Sequence, residues 1–99
     1  MMDNQKVKGY ISIAKKAGYA IVGTEKLDNY TKKLYLLLID EQAGKNTLKI
    51  VDKFGDIEKI TVSSLQELSQ IQNCKILGIK NKGISDEIIK ILRSENFGK

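Results

Sequence analysis

Apolar positions along the chain follow two rhythms that alternate from one end to the other. Val7, Tyr10, Ile11 and Ala14 recur at i, i+3, i+4 and i+7, the stripe of an amphipathic helix. Asp3 or Asn4 is expected to cap its start, and Gly18 supplies a left-handed stop after Ala17. Lys15 and Lys16 fall in the last turn, where cations complement the carbonyl end of the dipole. The apolar pair Ile21-Val22 then leads into Gly23-Thr24, where Thr24 is expected to cap a short, polar helix with Leu27 and Tyr30 on one side. Leu34 to Ile39 is too short and too uniformly apolar for a surface helix, so it predicts a central strand covered on both faces.

Helical spacing returns from Gly44 to Phe54, with Leu48, Val51, Ile50 and Phe54 as its apolar positions and Gly55-Asp56 as the turn that ends it. Asn46 and Thr47 are expected to offer side-chain oxygens to the first-turn amides. Lys45, Lys49 and Lys53 recur every four residues on one outward stripe, a solvated face before it is an RNA contact. Glu58 to Val62 alternates polar and β-branched residues as a strand does, and Ser64-x-x-Glu67 is a capping box opening a helix with Leu65, Leu68 and Ile71. Lys75 to Ile79 predicts the last strand and Asn81-Lys82-Gly83 a loop. Ile84, Ile88, Ile89 and Leu92 make one face of a final helix, with Asp86 and Glu87 in its first turn and Lys90 and Arg93 in its last.

Helices alternating with strands of this length predict an α/β protein, a three-layer α/β/α sandwich around a central four-stranded sheet, because each crossover lays a helix over one face. The 99 residues hold no linker, repeat or low-complexity tract, so residues 1–99 form one domain. No run approaches the ~18 apolar residues of a membrane span. The opening Met1-Met2-Asp3-Asn4-Gln5-Lys6 lacks the pattern of a secretory signal, which gives the expectation of a cytoplasmic protein.

Composition narrows the chemistry. Histidine is absent, which removes the usual general base, the usual activator of serine or cysteine and the commonest transition-metal ligand together. No Asp/Glu pair stands where a buried, tuned dyad would form. An enzyme is therefore not expected, nor a metal site or a cofactor. The lone thiol, Cys74, has no partner for a disulfide and is expected to lie at the start of a strand as a small buried hydrophobe. Gly44-Lys45-Asn46-Thr47 has the look of a phosphate-loop tail, but the earlier glycine is missing and Asn46 stands where a hydroxyl would hold magnesium.

Charge adds a positive indication. Seventeen Lys+Arg against 12 Asp+Glu leave a formal charge of +5, a field that raises on-rates for polyanions. Arg93 is the sole arginine, so lysines and backbone amides would have to carry any phosphate contact. Gly23-Thr24-Glu25-Lys26 fits that demand, since a glycine leading into a short polar helix brings free amides to the surface with no bulky side chain in the way.

Gly9-Tyr10-Ile11-Ser12-Ile13-Ala14-Lys15-Lys16-Ala17-Gly18 together with Gly23 resembles the opening of the ribosomal protein family of L-seven-Ae and L-thirty-e type, in its small bacterial members. Leu36 to Ile39 followed by Asp40-Glu41-Gln42-Ala43-Gly44-Lys45-Asn46-Thr47 looks like that family's central strand and next helix start. Val62-Ser63-Ser64-Leu65-Gln66-Glu67-Leu68 and Asn81-Lys82-Gly83-Ile84 are similar to its fourth-helix start and last loop. The resemblance implies a sandwich that binds structured RNA, often kink-turns, in ribosomes or other ribonucleoproteins. The family's second-helix motif, Gly-x-Asn-Glu-x-x-Lys, falls on Gly23, Glu25, Lys26 and Asn29, of which only the glycine is kept. Guanine readout thus cannot use the same donors and acceptors.

These observations lead to the expectation of a non-catalytic RNA-binding protein that takes kink-turn-like or otherwise bent RNA by shape and phosphate. Gly23, Thr24, Glu25, Lys26, Asn29, Lys32 and Lys33 would line one cleft beside the second helix. Ribosomal RNA or another bent RNA, and neighbouring ribosomal proteins, would be the partners. The alternative, from another class, is a protein-interaction module that keeps the sandwich and has lost RNA readout; an exposed apolar patch would mark it.

Overall fold

The computed structural model describes residues 4–97, in the order α1 (Asn4–Ala17), β1 (Ala20–Val22), α2 (Thr24–Asp28), β2 (Leu36–Asp40), α3 (Lys45–Lys53), β3 (Glu58–Val62), α4 (Leu65–Ser69), β4 (Ile76–Ile79) and α5 (Lys82–Phe97). The four strands form one mixed sheet in the order β1-β4-β2-β3. β2 and β3 run parallel, Leu36 opposite Glu58 through Asp40 opposite Val62, as a crossover through α3 requires. β4 lies antiparallel between β2 and β1, with Ile79 facing both Leu36 and Ala20.

β2 is buried along its whole length, and its side chains divide the core in two. Leu36 and Leu38 join Val7, Ile11 and Ala14 of α1, Leu65 and Leu68 of α4, and Ile88 and Leu92 of α5. Leu37 and Ile39 join Leu27 of α2 with Ile50 and Val51 of α3. The strand's period of two thus sends alternate residues into opposite helical layers, which is the α/β/α sandwich that the sequence predicts. Each fully buried leucine contributes about 1.5–3 kcal/mol over an exposed one, so β2 and its two coverings hold much of the stability.

Local signals explain most of the ends. Gly18 at φ 81 terminates α1, and Lys15, in that helix's last turn, donates from Nζ to the Ser69 carbonyl at 2.7 Å, tying α1 to the end of α4. Ser64 caps α4 by accepting from the Glu67 amide at 3.4 Å, and Gln70 ends it at φ 60, which leaves Ile71 beyond the helix. The expected Asp3 or Asn4 cap rests on side chains outside the described residues.

Other expectations are corrected. Thr24 is not a cap: Gly23 holds the cap position of α2 and no side chain bonds there. Neither Asn46 nor Thr47 caps α3, whose cap position is Gly44; Thr47 is buried instead and Leu48, expected in the core, is 48% exposed. Asn81-Lys82-Gly83 is no loop, because Asn81 Oδ1 accepts from the Ile84 amide at 2.9 Å and starts α5 at Lys82. Asp86, Glu87, Lys90 and Arg93 consequently lie inside α5, where they pair as Lys82–Asp86 and Lys90–Glu87, and Arg93 reaches Glu58 of β3. Among the described residues no helix is long and apolar enough to cross a membrane.

Gly78 shows how closely the α2 side is packed. A Cβ built there would stand 3.0 Å from Leu27 Cδ2 and 3.0 Å from Leu34 Cδ1. Gly78→Ala should therefore cost about 1–3 kcal/mol in urea unfolding, with Gly55→Ala, open on all sides, as the mild control.

Candidate functional site

One end of the sheet gathers the end of β1, the ends of β2 and β3 and the beginning of β4. Gly23 leaves β1 there at φ 97 and ψ 156, a conformation that favours glycine. Its amide donates to the Ile76 carbonyl at 3.2 Å and its own carbonyl accepts from Leu27 at 3.2 Å. The turn is thus pinned to β4, and the Gly23 amide is used within the sheet. The amides of Thr24, Glu25 and Lys26 follow in the first turn of α2, where no side chain caps them. Leu27, fully buried, seats the helix on the sheet.

Glu25 and Lys26 are exposed, and Lys26 makes no ion pair among the described residues. Asn29 has another task. Its backbone amide and its Nδ2 both donate to the Glu25 carbonyl, at 3.3 and 3.1 Å, closing the far end of α2. Asn29 therefore serves the helix.

Lys32 and Lys33 lie elsewhere. After α2 the chain returns along the sheet to Tyr35, whose amide donates to the Ile79 carbonyl at 2.9 Å. That is the Ala20 and Ile79 end, separated from Ile76 by three residues of β4, or about 10 Å at ~3.3 Å per residue. The expected single cleft is divided: Gly23, Thr24, Glu25 and Lys26 stand at one end, Lys32 and Lys33 at the other. Sequence spacing alone could not show this, since it depends on where the strands pair.

Asp40, which the pattern marks only as the end of an apolar run, is the organising group of the Gly23 end. It is 4% exposed. Its Oδ1 accepts from the Leu65 amide at 2.7 Å and its Oδ2 from the Gln42 amide at 2.8 Å, with Lys75 Nζ 3.7 Å from Oδ2. One carboxylate thus joins β2, the start of α4 and the loop before α3. The sequence signal is an aspartate closing a buried strand ahead of a turn. Burial pushes its carboxyl up, but the two amides and the Lys75 ammonium outweigh that and hold it below the usual aspartate value.

Nearby Cys74 is buried, and burial pushes its thiol up despite contacts with Ser69 and Ile76, so it is an inert structural thiol. Lys45 and Lys49 of α3 are exposed as expected, whereas Lys53 pairs with Asp28 at 2.6 Å and ties α3 to α2. Two surface hollows lie on the α1 side. One, of about 330 Å³, is lined by Lys6, Gly9, Tyr10 and Ile13; the other, of about 670 Å³, by Lys8, Ser64, Gln66, Glu67, Gln70 and Gln72. Among the described residues no group of three or more His, Cys, Asp or Glu could hold a metal ion.

No protein-family model matches this chain, and no curated protein matches it either. Among solved structures it is similar to a protein with unknown function from Bacillus halodurans C, with a TM-score of 0.74 and 23% sequence identity over 89% of this chain and 97% of that one. The likeness extends over nearly the whole of both chains and establishes the fold.

Asp40 yields a pH prediction. Its folded-state pKa lies below the unfolded one, so its contribution is complete at neutral pH and is lost as acid takes the pH through the folded value. Asp40→Asn should remove about 1–3 kcal/mol at pH 7 and flatten the acid limb of a stability-against-pH curve measured by urea unfolding. An unchanged acid limb would rule the clamp out.

Proposed function

We propose that this is a non-catalytic RNA-binding protein that holds bent, structured RNA at the start of α2, within a ribosome or another cytoplasmic ribonucleoprotein. The observation that carries the proposal is the geometry at Gly23: a side-chain-free turn pinned to β4 at 3.2 Å, followed by uncapped first-turn amides and the exposed Lys26, which makes no ion pair among the described residues. Fixed amides and a nearby ammonium suit phosphate oxygens, which crowd together where an RNA backbone bends. Lys45, at the start of α3 on the same end of the sheet, adds a second cation. Glu25 offers acceptors and no donor, so recognition relies on shape and phosphate more than on a guanine edge. The family resemblance of the sequence supports the same proposal.

A protein-interaction module on this fold is the second reading. The hollow over Gly9 and Tyr10, with Ile13 at 54% exposure, favours it. Because that hollow lies on α1, away from Gly23, substitutions separate the two. Titrating a kink-turn RNA at low and moderate salt should show binding that weakens steeply with salt. Lys26→Glu should weaken it about tenfold and lower the salt slope by about one, and Ile13→Asp should leave it unchanged. Absence of binding at low salt, or loss only in the Ile13 variant, contradicts the RNA proposal.

A further inference from the structure

The end of the sheet opposite Gly23 has a chemistry of its own. Tyr19 and Tyr35 directly precede β1 and β2, the two neighbours of β4. Tyr19's carbonyl accepts from the Lys80 amide at 2.8 Å, and Tyr35's amide donates to the Ile79 carbonyl at 2.9 Å. Backbone pairing therefore sets a tyrosine on each side of the Ile79-Lys80 segment, at ~4.8 Å per strand step. Lys33 Nζ lies 5.1 Å from the centre of the Tyr35 ring, and Lys82 begins α5 two residues after Lys80. Lys80 is paired through its backbone to Tyr19, and Lys32 adjoins Lys33 in the chain.

The rings are not accounted for by the core. Tyr10 and Tyr30 are among the partly buried residues packed against the two clusters, whereas the partly buried Tyr35 is not, and Tyr19 is 39% exposed. Among the described residues Lys32, Lys33 and Lys80 form no ion pair. Lys82 pairs with Asp86 at 2.9 Å, but both side chains are more than half exposed, so a phosphate can replace that carboxylate at little cost.

We infer that this end of the sheet is a separate binding surface for single-stranded RNA, in which Tyr19 and Tyr35 stack on unpaired bases while Lys32, Lys33, Lys80 and Lys82 follow the phosphates. Aromatic faces interleaved with ammonium groups accept any base, because every base presents a π-face and stacking asks for no hydrogen-bond code. The surface goes beyond the Gly23 site in ligand and in location: that site takes bent backbone through amides, and this one takes flexible strand through rings. It would hold the unpaired flank of a structured RNA or a separate strand by the same chemistry.

The two sites are tested independently. The chain has no tryptophan, so its ultraviolet emission comes from tyrosine, and titration with an unstructured oligouridine RNA at low salt should quench it. Tyr19→Ala and Tyr35→Ala should each weaken binding about tenfold by fluorescence anisotropy of labelled RNA. Tyr19→Phe and Tyr35→Phe, which keep the stacking face, should bind as the parent does. Urea unfolding checks that each variant is folded; should Tyr35→Ala fail that check, the exposed Tyr19 position decides. Alanine variants that bind like the parent, no binding by the parent, or equal affinity for a polyglutamate peptide would each overturn the inference. If Lys26→Glu loses kink-turn RNA while the tyrosine variants keep oligouridine, the Gly23 proposal stands and this one falls; the reverse pattern separates them the other way.

Discussion

Everything in this small protein depends on a strand that has no solvent side. Leu36 to Asp40 is buried throughout, with Leu36 and Leu38 in one cluster and Leu37 and Ile39 in the other, so helices must cover both faces. Those helices fix where the connections emerge, and hence where polar groups can meet a ligand. The strand ends in a carboxylate in place of another aliphatic residue. A buried charge is tolerable only when donors surround it, and the Leu65 and Gln42 amides supply that requirement at 2.7 and 2.8 Å. Asp40 thereby sets the start of α4 and the loop ahead of α3 against the end of β2.

A separate backbone bond ties the neighbouring corner to the sheet. Gly23 is bonded to Ile76, at the beginning of β4, one strand from Asp40. The amides that follow leave a turn tied to β4, and ordering a site before the ligand arrives lowers the cost of holding it. The likeness to a solved structure at a TM-score of 0.74 extends this architecture to a second chain. Function remains a matter of the site, because one scaffold hosts many activities.

Much of the fold was legible because its signals are local. The i, i+3, i+4 stripe of Val7, Ile11 and Ala14, the uniform run at Leu36 to Ile39 and the Ser64 cap each report a nearby physical preference. What the pattern could not show is non-local. Whether the Gly23 amide is free depends on Ile76, more than fifty residues away; that Lys32 and Lys33 stand apart from Lys26 depends on strand register. Asn29 looked like a ligand position and closes α2 instead, because a carboxamide can serve either role. Leu48 matched the helical stripe but sits at its outer edge, and Thr47 takes the buried place. The clamp role of Asp40 has no local signature, since a carboxylate after an apolar run ordinarily marks a strand's exit into solvent.

The central claim is that rigid, uncapped amides at the start of α2 receive an RNA backbone. An amide-resolved NMR titration of the protein with a kink-turn RNA tests it most directly, since it reports on those N–H groups themselves. The account predicts that the largest shifts fall on Thr24, Glu25 and Lys26, with the interior amides of β2 unmoved. Shifts confined to α1 around Gly9 and Ile13, or none at the start of α2 while RNA is bound, would contradict it.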